Sequence, residues 1–513
     1  MFSSALGTIF ASTITTPDIA WSALIPLLVL SGASIFLLTI ASISPKDLPS
    51  SFYATYTGLA ALASGIAAIP LWIRVQDNAR GPFRTIADGY SVDGFSLIIT
   101  FLILVSVFLV ACLASEYLAK EGITGPEPYA LIMLSASGGI IMAGANDLIV
   151  LFLGIEVLSI AAYVLAAMDM RRVQSQEAGM KYFVLGAFAS GFLLYGIALI
   201  YGATGSTSLT AIRDFLESTE LTRDALLFTG LAMTLIGLGF KVATVPFHFW
   251  TPDVYQGTPT PFVAYMASAV KAAGFAALIR VFYVAFGSYQ SDWQPIIYGL
   301  AIATLLVGSL MAIVQTDVKR LLAYSSISHA GYILVGFQSG SDNGVISVSF
   351  YLITYAFMVL GSFAVVSIIG SLNGGQTTLD DFKGLSNRRP ILAAVFTIFL
   401  LGQAGIPLTT GFFAKFYVIE SAIEARSYGL AIFAMVTAVI AAFLYLKILI
   451  KMWLSDDTDS EPLSKLQARL EIPIPIQVGF VLIISAGFTL IFGVWPQPIV
   501  ELARNALPII GFG

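Results

Sequence analysis

LIGLGFKVATVPFHFWTPDVYQGTPTPFVAYMASAVKAAGF, residues 235–275, decides how the chain is built. An apolar helix entering near Leu226 meets Lys241 after about four turns. Shortly afterwards Pro246 removes a backbone donor and disfavours continuation of that helix. His248, Trp250, Pro252, Asp253, Gly257, Pro259 and Pro261 follow, and a second apolar helix then carries Lys271 at its middle. An ammonium group in hydrocarbon costs several kcal/mol unless it is solvated or paired. Irregular backbone at membrane depth survives only inside protein or beside a water-filled cavity. A broken helix next to a mid-span lysine therefore reads as part of an ion pathway.

The rest of the chain fits that setting. Hydrophobic residues make up 58% of the 513 and charged residues 11%, against about 25% charged in ordinary globular domains. Glycine, with 45 residues, suits close packing of membrane helices. The chain reads as an all-α polytopic membrane protein. A net charge of -5 argues against nucleic acid as a partner. One cysteine, Cys112, and two histidines leave no disulfide framework and no iron–sulfur or zinc ligand set. Neither GxGxxG nor GxxxxGK[ST] occurs, so no nucleotide site is expected. The first basic residue is Lys46, so the N-terminus does not read as a cleaved signal peptide.

Moving outward, about fourteen apolar stretches approach the length that crosses a bilayer. They lie near 20–43, 52–73, 94–117, 128–145, 147–168, 179–202, 225–251, 260–286, 295–314, 320–338, 344–370, 391–421, 429–453 and 474–496. The seventh is broken at Pro246 and the twelfth within GQAGIPLTTG, at Pro407. The connections 74–93, 203–224, 371–390 and 454–473 carry charge and are expected at the surface. Within them, TAIRDFLEST (210–219) reads equally as an interfacial helix or an ordered loop. Loops after odd-numbered spans and their flanks carry 14 Lys and Arg, including Lys46, Lys319, Lys465 and Arg469, against 8 on the other side, including Arg223 and Arg280. The positive-inside rule then puts the odd loops in the cytoplasm.

Spacing suggests an internal repeat. Glu156 and His329 lie mid-way along spans 5 and 10, and Lys241 and Lys415 follow them by 85 and 86 residues. Four segments result: an N-terminal three-helix segment (1–125), a first five-helix repeat of spans 4–8 (126–287), a second of spans 9–13 (292–455), and a C-terminal loop with the last helix (456–513). An odd number of crossings inverts the second unit relative to the first, as in many transporters.

Each polar residue inside a span has a structural reading beside the functional one. As structural residues, Glu156 would tie two helices by pairing with a lysine, Lys241 and Lys271 would snorkel if they lay near span ends, and His248 would bond a carbonyl freed by the break. Asn146 and Asp147 look like a helix start, while Asp253 and Glu420 look like water-facing or capping residues. With no metal and no nucleotide, lysines, histidines and a glutamate suit proton relay. A lysine ordinarily holds its proton up to about pH 10.4. Desolvation favours the neutral amine and a neighbouring carboxylate favours the ammonium. Opening and closing a Glu156–Lys241 contact would therefore switch the lysine between releasing and holding a proton. Moving one charge against 150 mV costs about 3.5 kcal/mol, within reach of such a switch. The lateral route expected is Lys241, Lys271, His329 and Lys415, with Glu156 and His248 beside it and water in the gaps.

FKVATVPFHFWTPDVYQGTPTPFVAYMASAVKAAGF, VKRLLAYSSISHAGYILVG and LGQAGIPLTTGFFAKFYVIESAI resemble the antiporter-like membrane subunits of complex I. The resemblance runs from about 94 to 455 and is nearest to the second membrane subunit of the cyanobacterial and chloroplast NAD(P)H–quinone oxidoreductases. It implies fourteen helices with inverted five-helix repeats and two broken helices. It also implies a proton channel whose key residues match Glu156, Lys241, Lys271 and Lys415. Iron–sulfur clusters and plastoquinone are expected in partner subunits, fed by ferredoxin or NAD(P)H, in a thylakoid or cytoplasmic-type membrane. A subunit of a sodium/proton antiporter and a structural membrane scaffold are the competing readings.

Overall fold

The computed structural model describes residues 18–44, 48–219, 225–372, 375–454 and 474–509. Lys46, Arg223, Lys465 and Arg469, counted above for orientation, lie outside them, as does most of the loop 454–473. The fold is helical, with a single two-stranded hairpin among the described residues (β1, Phe83–Thr85; β2, Tyr90–Val92) in the first connection. Its second strand is buried rather than exposed, because it lies under the helix bundle. Eleven helices among the described residues are long and apolar enough to cross a membrane. They are α1 (Trp21–Ile43), α2 (Ser50–Gln76), α3 (Gly94–Lys120), α5 (Leu148–Ala166), α6 (Val173–Thr204), α8 (Ala225–Val242), α10 (Thr260–Ala285), α11 (Gln290–Ile313), α13 (Asp342–Leu372), α16 (Tyr428–Leu454) and α17 (Ile476–Val494).

The other three expected spans are present in altered form. Helix α4 (Glu127–Gly144) is as long as α8 but less apolar, opening with Glu127 and Pro128 and carrying serines and glycines at its middle, and α12 (Val318–Gln338) is rich in hydroxyl and charged residues. Nearly every residue of α12 is buried, so it is lined by protein rather than lipid and needs no apolar exterior. The twelfth span is two pieces, α14 (Pro390–Ala404) and α15 (Thr410–Glu424). The seventh is likewise α8 followed by α9 (Trp250–Gly257). TAIRDFLEST forms a helix, α7 (Leu209–Ser218), started by the Ser208 side chain. A last short helix, α18 (Gln497–Arg504), follows α17.

Local chemistry sets these boundaries. Asp93 starts α3 through a reciprocal cap with Ser96, Asp147 accepts from the Ile149 and Val150 amides, and Asp317 accepts from the Arg320 amide. Two corners are built alike. The Leu148 amide donates to the Thr207 carbonyl, the Thr207 hydroxyl to Asp147, and the Leu209 amide to the Asn146 carbonyl. The Val318 amide, the Thr377 hydroxyl and the Leu379 amide repeat those bonds with Thr377, Asp317 and Thr316, each residue 170 positions beyond its counterpart. In this register Ser159 matches His329 and Glu156 matches Ser326, three residues off the spacing read from sequence. Helices meet closely where glycine allows it: a Cβ on Gly196 of α6 would lie 2.7 Å from the Thr234 amide nitrogen of α8. The same holds for Gly308 of α11, 2.4 Å from the Ser328 amide nitrogen.

The centre of the bundle is α10, α12 and α13, whose residues are almost all buried. Helix α10 is interrupted by two π-helical stretches, Met266–Val270 and Arg280–Ala285. Arg280, placed among loop charges by the sequence reading, is 1% exposed and makes a bidentate bond to Asp93 at 2.6 and 2.7 Å. Its Nε donates to the Ala143 carbonyl, and Asp93 also accepts from the Ile509 amide. This pair ties α3, α4, α10 and the C-terminal segment at one point. Arg280→Met leaves a buried carboxylate without its cation, which should cost about 3 kcal/mol or more. Adding Asp93→Asn, which keeps the cap but removes the charge, should recover part of that loss. Thermal unfolding of the purified complex in detergent measures both, and equal losses would contradict the assignment.

Candidate functional site: a buried row of lysines and a histidine

Lys241 and Lys271 sit where a helix is irregular, and Lys415 lies inside α15, beyond the second break. Lys241 is the second-last residue of α8. The chain leaves that helix through Ala243, whose φ of 62° is a left-handed conformation that a non-glycine residue seldom adopts. The backbone groups released there find partners. The Thr244 amide donates to the Gly239 carbonyl (2.9 Å), the Val245 amide to Thr304 Oγ1 (3.0 Å), and the Trp250 indole to the Phe240 carbonyl (3.0 Å). The indole is stacked on Tyr182 at 4.4 Å, which fixes the start of α9. At the second break Leu408 has φ 69° and Gly405 φ 86°.

Lys241 Nζ donates to Ser159 Oγ at 2.7 Å and lies 5.7 and 5.9 Å from the Tyr182 and Tyr163 rings. Glu156, one turn earlier on α5, is half-buried and accepts from the Ser190 hydroxyl of α6. No ion pair joins Glu156 to Lys241 among the described residues, so the direct pairing expected from sequence is replaced by a neighbouring serine. The reason is geometric: Ser159 points to α8, whereas Glu156 points to α6. Lys271 begins the regular helix that follows the first π-helical stretch of α10. Its Nζ donates to the Ser326 carbonyl of α12 at 2.7 Å. Gly274, three residues on, packs against Lys241, so the two lysines belong to adjoining helices.

His329 sits between two phenols, with Nδ1 2.7 Å from Tyr351 Oη and Nε2 3.1 Å from Tyr445 Oη. Tyr445 also meets Ser325 Oγ at 2.6 Å, and Ser325 donates to Gln403, whose amide donates to Ser362. The Tyr355 ring bridges the row, 5.9 Å from Lys271 Nζ and 4.7 Å from the imidazole. Lys415 Nζ donates to the Ala404 carbonyl at 2.8 Å, at the open end of α14, and lies 4.8 Å from the Tyr332 ring. Tyr332 is stacked on Tyr351, which closes the sequence from His329 to Lys415. All three ammonium groups are therefore buried against neutral oxygens.

His248 is placed apart. It is buried in the first break against Phe249, and among the described residues its Nδ1 has no partner and no hydrogen bond links it to the lysines. Asp253 holds Lys181 and Arg320, each at 2.6 Å. Glu420 lines a polar cavity of about 230 Å³ with Glu424 and Arg504. The sequence reading missed Ser159, Tyr351, Tyr355, Gln403 and Tyr445. Their signal was the same as that of the lysines, polar groups inside apolar spans, but a hydroxyl or amide is common there and a charge is not.

Residues 145–441 match the family model described as NADH:quinone oxidoreductase/Mrp antiporter, transmembrane. The chain is 40% identical to NADH-quinone oxidoreductase subunit N of Chloroflexus aggregans, over 97% of this chain and 99% of that one. It is 36% identical to the protein of the same name from Trichlorobacter lovleyi, over 95% and 97%. A chain of respiratory complex I from Thermus thermophilus superposes with a TM-score of 0.75 at 31% identity, covering 93% of this chain and 99% of that one. The chain belongs to the NADH:quinone oxidoreductase/Mrp antiporter transmembrane family, as an antiporter-like membrane subunit of the subunit N type.

Proposed function

We propose that this chain is a proton-translocating membrane subunit of a quinone oxidoreductase complex, and that Lys241, Lys271, His329 and Lys415 carry the protons. One observation supports this most strongly: the three buried ammonium groups are held by a hydroxyl and two carbonyls, not by carboxylates. A lysine locked to a carboxylate keeps its proton. A lysine on a neutral oxygen can lose it, because the remaining amine N–H still donates the same bond. The buried phenols and the His329 imidazole between Lys271 and Lys415 offer groups that both donate and accept. Glu156, one serine away from Lys241, acts on it through a poorly screened interior and biases its charge. His248, outside the hydrogen-bonded row, is proposed only as a lining residue of the first break.

The same face of the bundle that carries most Lys and Arg is taken as the cytoplasmic side, which agrees with an inverted pair of five-helix units at 126–287 and 292–455. Electron transfer, iron–sulfur clusters and the quinone site belong to other membrane and peripheral subunits. For the redox partners we favour NADH and a quinone pool in a cytoplasmic-type membrane, because the bacterial relatives carrying that name align over nearly the whole chain. The plastoquinone and thylakoid reading rests on the quoted motifs, and the quinone that the purified complex reduces separates the two.

Lys241→Arg, Lys271→Arg and Lys415→Arg should each assemble and each lower the protons moved per electron, because guanidinium stays charged at every accessible pH. Proton uptake by reconstituted vesicles, followed together with quinone reduction, measures this. Normal stoichiometry in all three would exclude lysine proton release, and sodium-dependent uptake would point to antiport. Ser159→Ala should slow translocation roughly ten-fold or more by removing the acceptor of Lys241. Glu156→Gln should leave assembly intact and weaken coupling, and an unassembled Glu156→Gln complex would mark Glu156 as a structural tie.

A further inference from the structure

Lys319 is a fourth buried lysine among the described residues and has no place in the row just described. It opens α12 directly after the cap residues and is 5% exposed. Its Nζ donates to the Thr258 carbonyl at 2.6 Å, at the C-terminal end of α9. No described carboxylate pairs with it. Asp317 is occupied by the Arg320 amide and the Thr377 hydroxyl, Glu121 faces Arg171, and the nearby cation Arg172 donates to the Gly375 carbonyl. Lys319 thus shares the mark of Lys241, Lys271 and Lys415: a buried ammonium on a neutral oxygen.

Its position gives that mark a direction. Lys319 and Ser326 are seven residues apart on α12, hence on one side of the helix and about 10 Å apart along it. Ser326 is the residue whose carbonyl holds Lys271. Among the described residues the Ser326 and Thr258 hydroxyls are both buried without a well-formed hydrogen bond, Ser326 lying beside the Tyr255 and Tyr355 phenols, and buried hydroxyls of this kind are answered by ordered water. On its other side Lys319 adjoins Arg320, half-buried Asp253 and exposed Gln256, which form a hydrogen-bonded group at the face taken as cytoplasmic.

We propose that Lys319 is the inlet of the relay. Its ammonium gives a proton to water held by the Thr258 and Ser326 hydroxyls, that water passes a proton to the Lys271 amine, and the Lys319 amine is recharged from water at the face. One proton enters and one leaves, with no redox change. This rests on the relay reading of Lys271 given above. The competing role is a clamp, in which the ammonium only ties α9 to α12.

Lys319→Arg and Lys319→Met are compared with Lys271→Arg in the reconstituted complex, reading protons moved per electron and the amount of assembled complex. The inlet role predicts that Lys319→Arg assembles yet translocates roughly ten-fold or more slowly, as Lys319→Met does. Normal translocation by Lys319→Arg beside a defective Lys271→Arg would overturn the inlet and leave the relay standing. Normal translocation by both would remove the relay itself. Thr258→Val and Ser326→Ala keep every charge and both carbonyls, so they test the route even if Lys319 variants fail to assemble. Slowed translocation with an enlarged solvent deuterium isotope effect is expected, and unchanged translocation in both would overturn the proposal.

Discussion

An ammonium group buried in a bilayer must be given an oxygen, and a regular helix offers only the second lone pair of carbonyls already bonded to its own amides, as Ser326 does for Lys271, so helix breaks and hydroxyls supply the rest. That constraint organises this protein. At the second break α14 ends at Ala404, whose carbonyl is then available to Lys415. At the first break the released carbonyl of Phe240 goes to the Trp250 indole, and Lys241 turns instead to Ser159 of the neighbouring helix. Left-handed φ values at Ala243 and Leu408 are the local strain these openings carry. The strain persists because stacked rings and close helix contacts around the breaks leave the chain no other path.

The surrounding architecture isolates this row from lipid. Helices α10, α12 and α13 are enclosed, so their serines, tyrosines and His329 face protein or internal water and not hydrocarbon. The π-helical stretches of α10 flank the segment that Lys271 begins, and Arg280 opens the second of them. Such bulges shift the residues beyond them around the helix axis. The result is a division of labour within one helix: Arg280 is fixed by a carboxylate, and Lys271 by a carbonyl. The first arrangement holds a charge permanently and the second permits its loss.

Much of this was legible in the chain because charge is so rare in it. Lys241, Lys271 and Lys415 stand out against apolar neighbours, and Pro246 and Pro407 mark both breaks. Asp147 as a helix start followed from its side chain alone. What was not legible depends on the third dimension. The π-helical stretches have no proline or glycine signature, so the facing of Lys271 was hidden. Arg280 and Lys319 lie near span ends, where a charge ordinarily reaches water, yet both are buried by elements far away in sequence. Glu156 was expected against Lys241 because a carboxylate is the obvious partner of a cation. Helical phase instead turns it to Ser190 and gives Ser159 to the lysine.

The central claim is that these lysines change charge during turnover while keeping their neutral oxygen partners. Infrared difference spectroscopy on the assembled complex, with lysine labelled at the side-chain nitrogen, observes that change most directly. Quinone reduction should produce paired, label-sensitive losses of ammonium bands and gains of amine bands, and these should vanish from the complex in which Lys241, Lys271 and Lys415 are arginine. Spectra in which every lysine remains an ammonium throughout reduction would contradict the account and make the row a set of fixed charges.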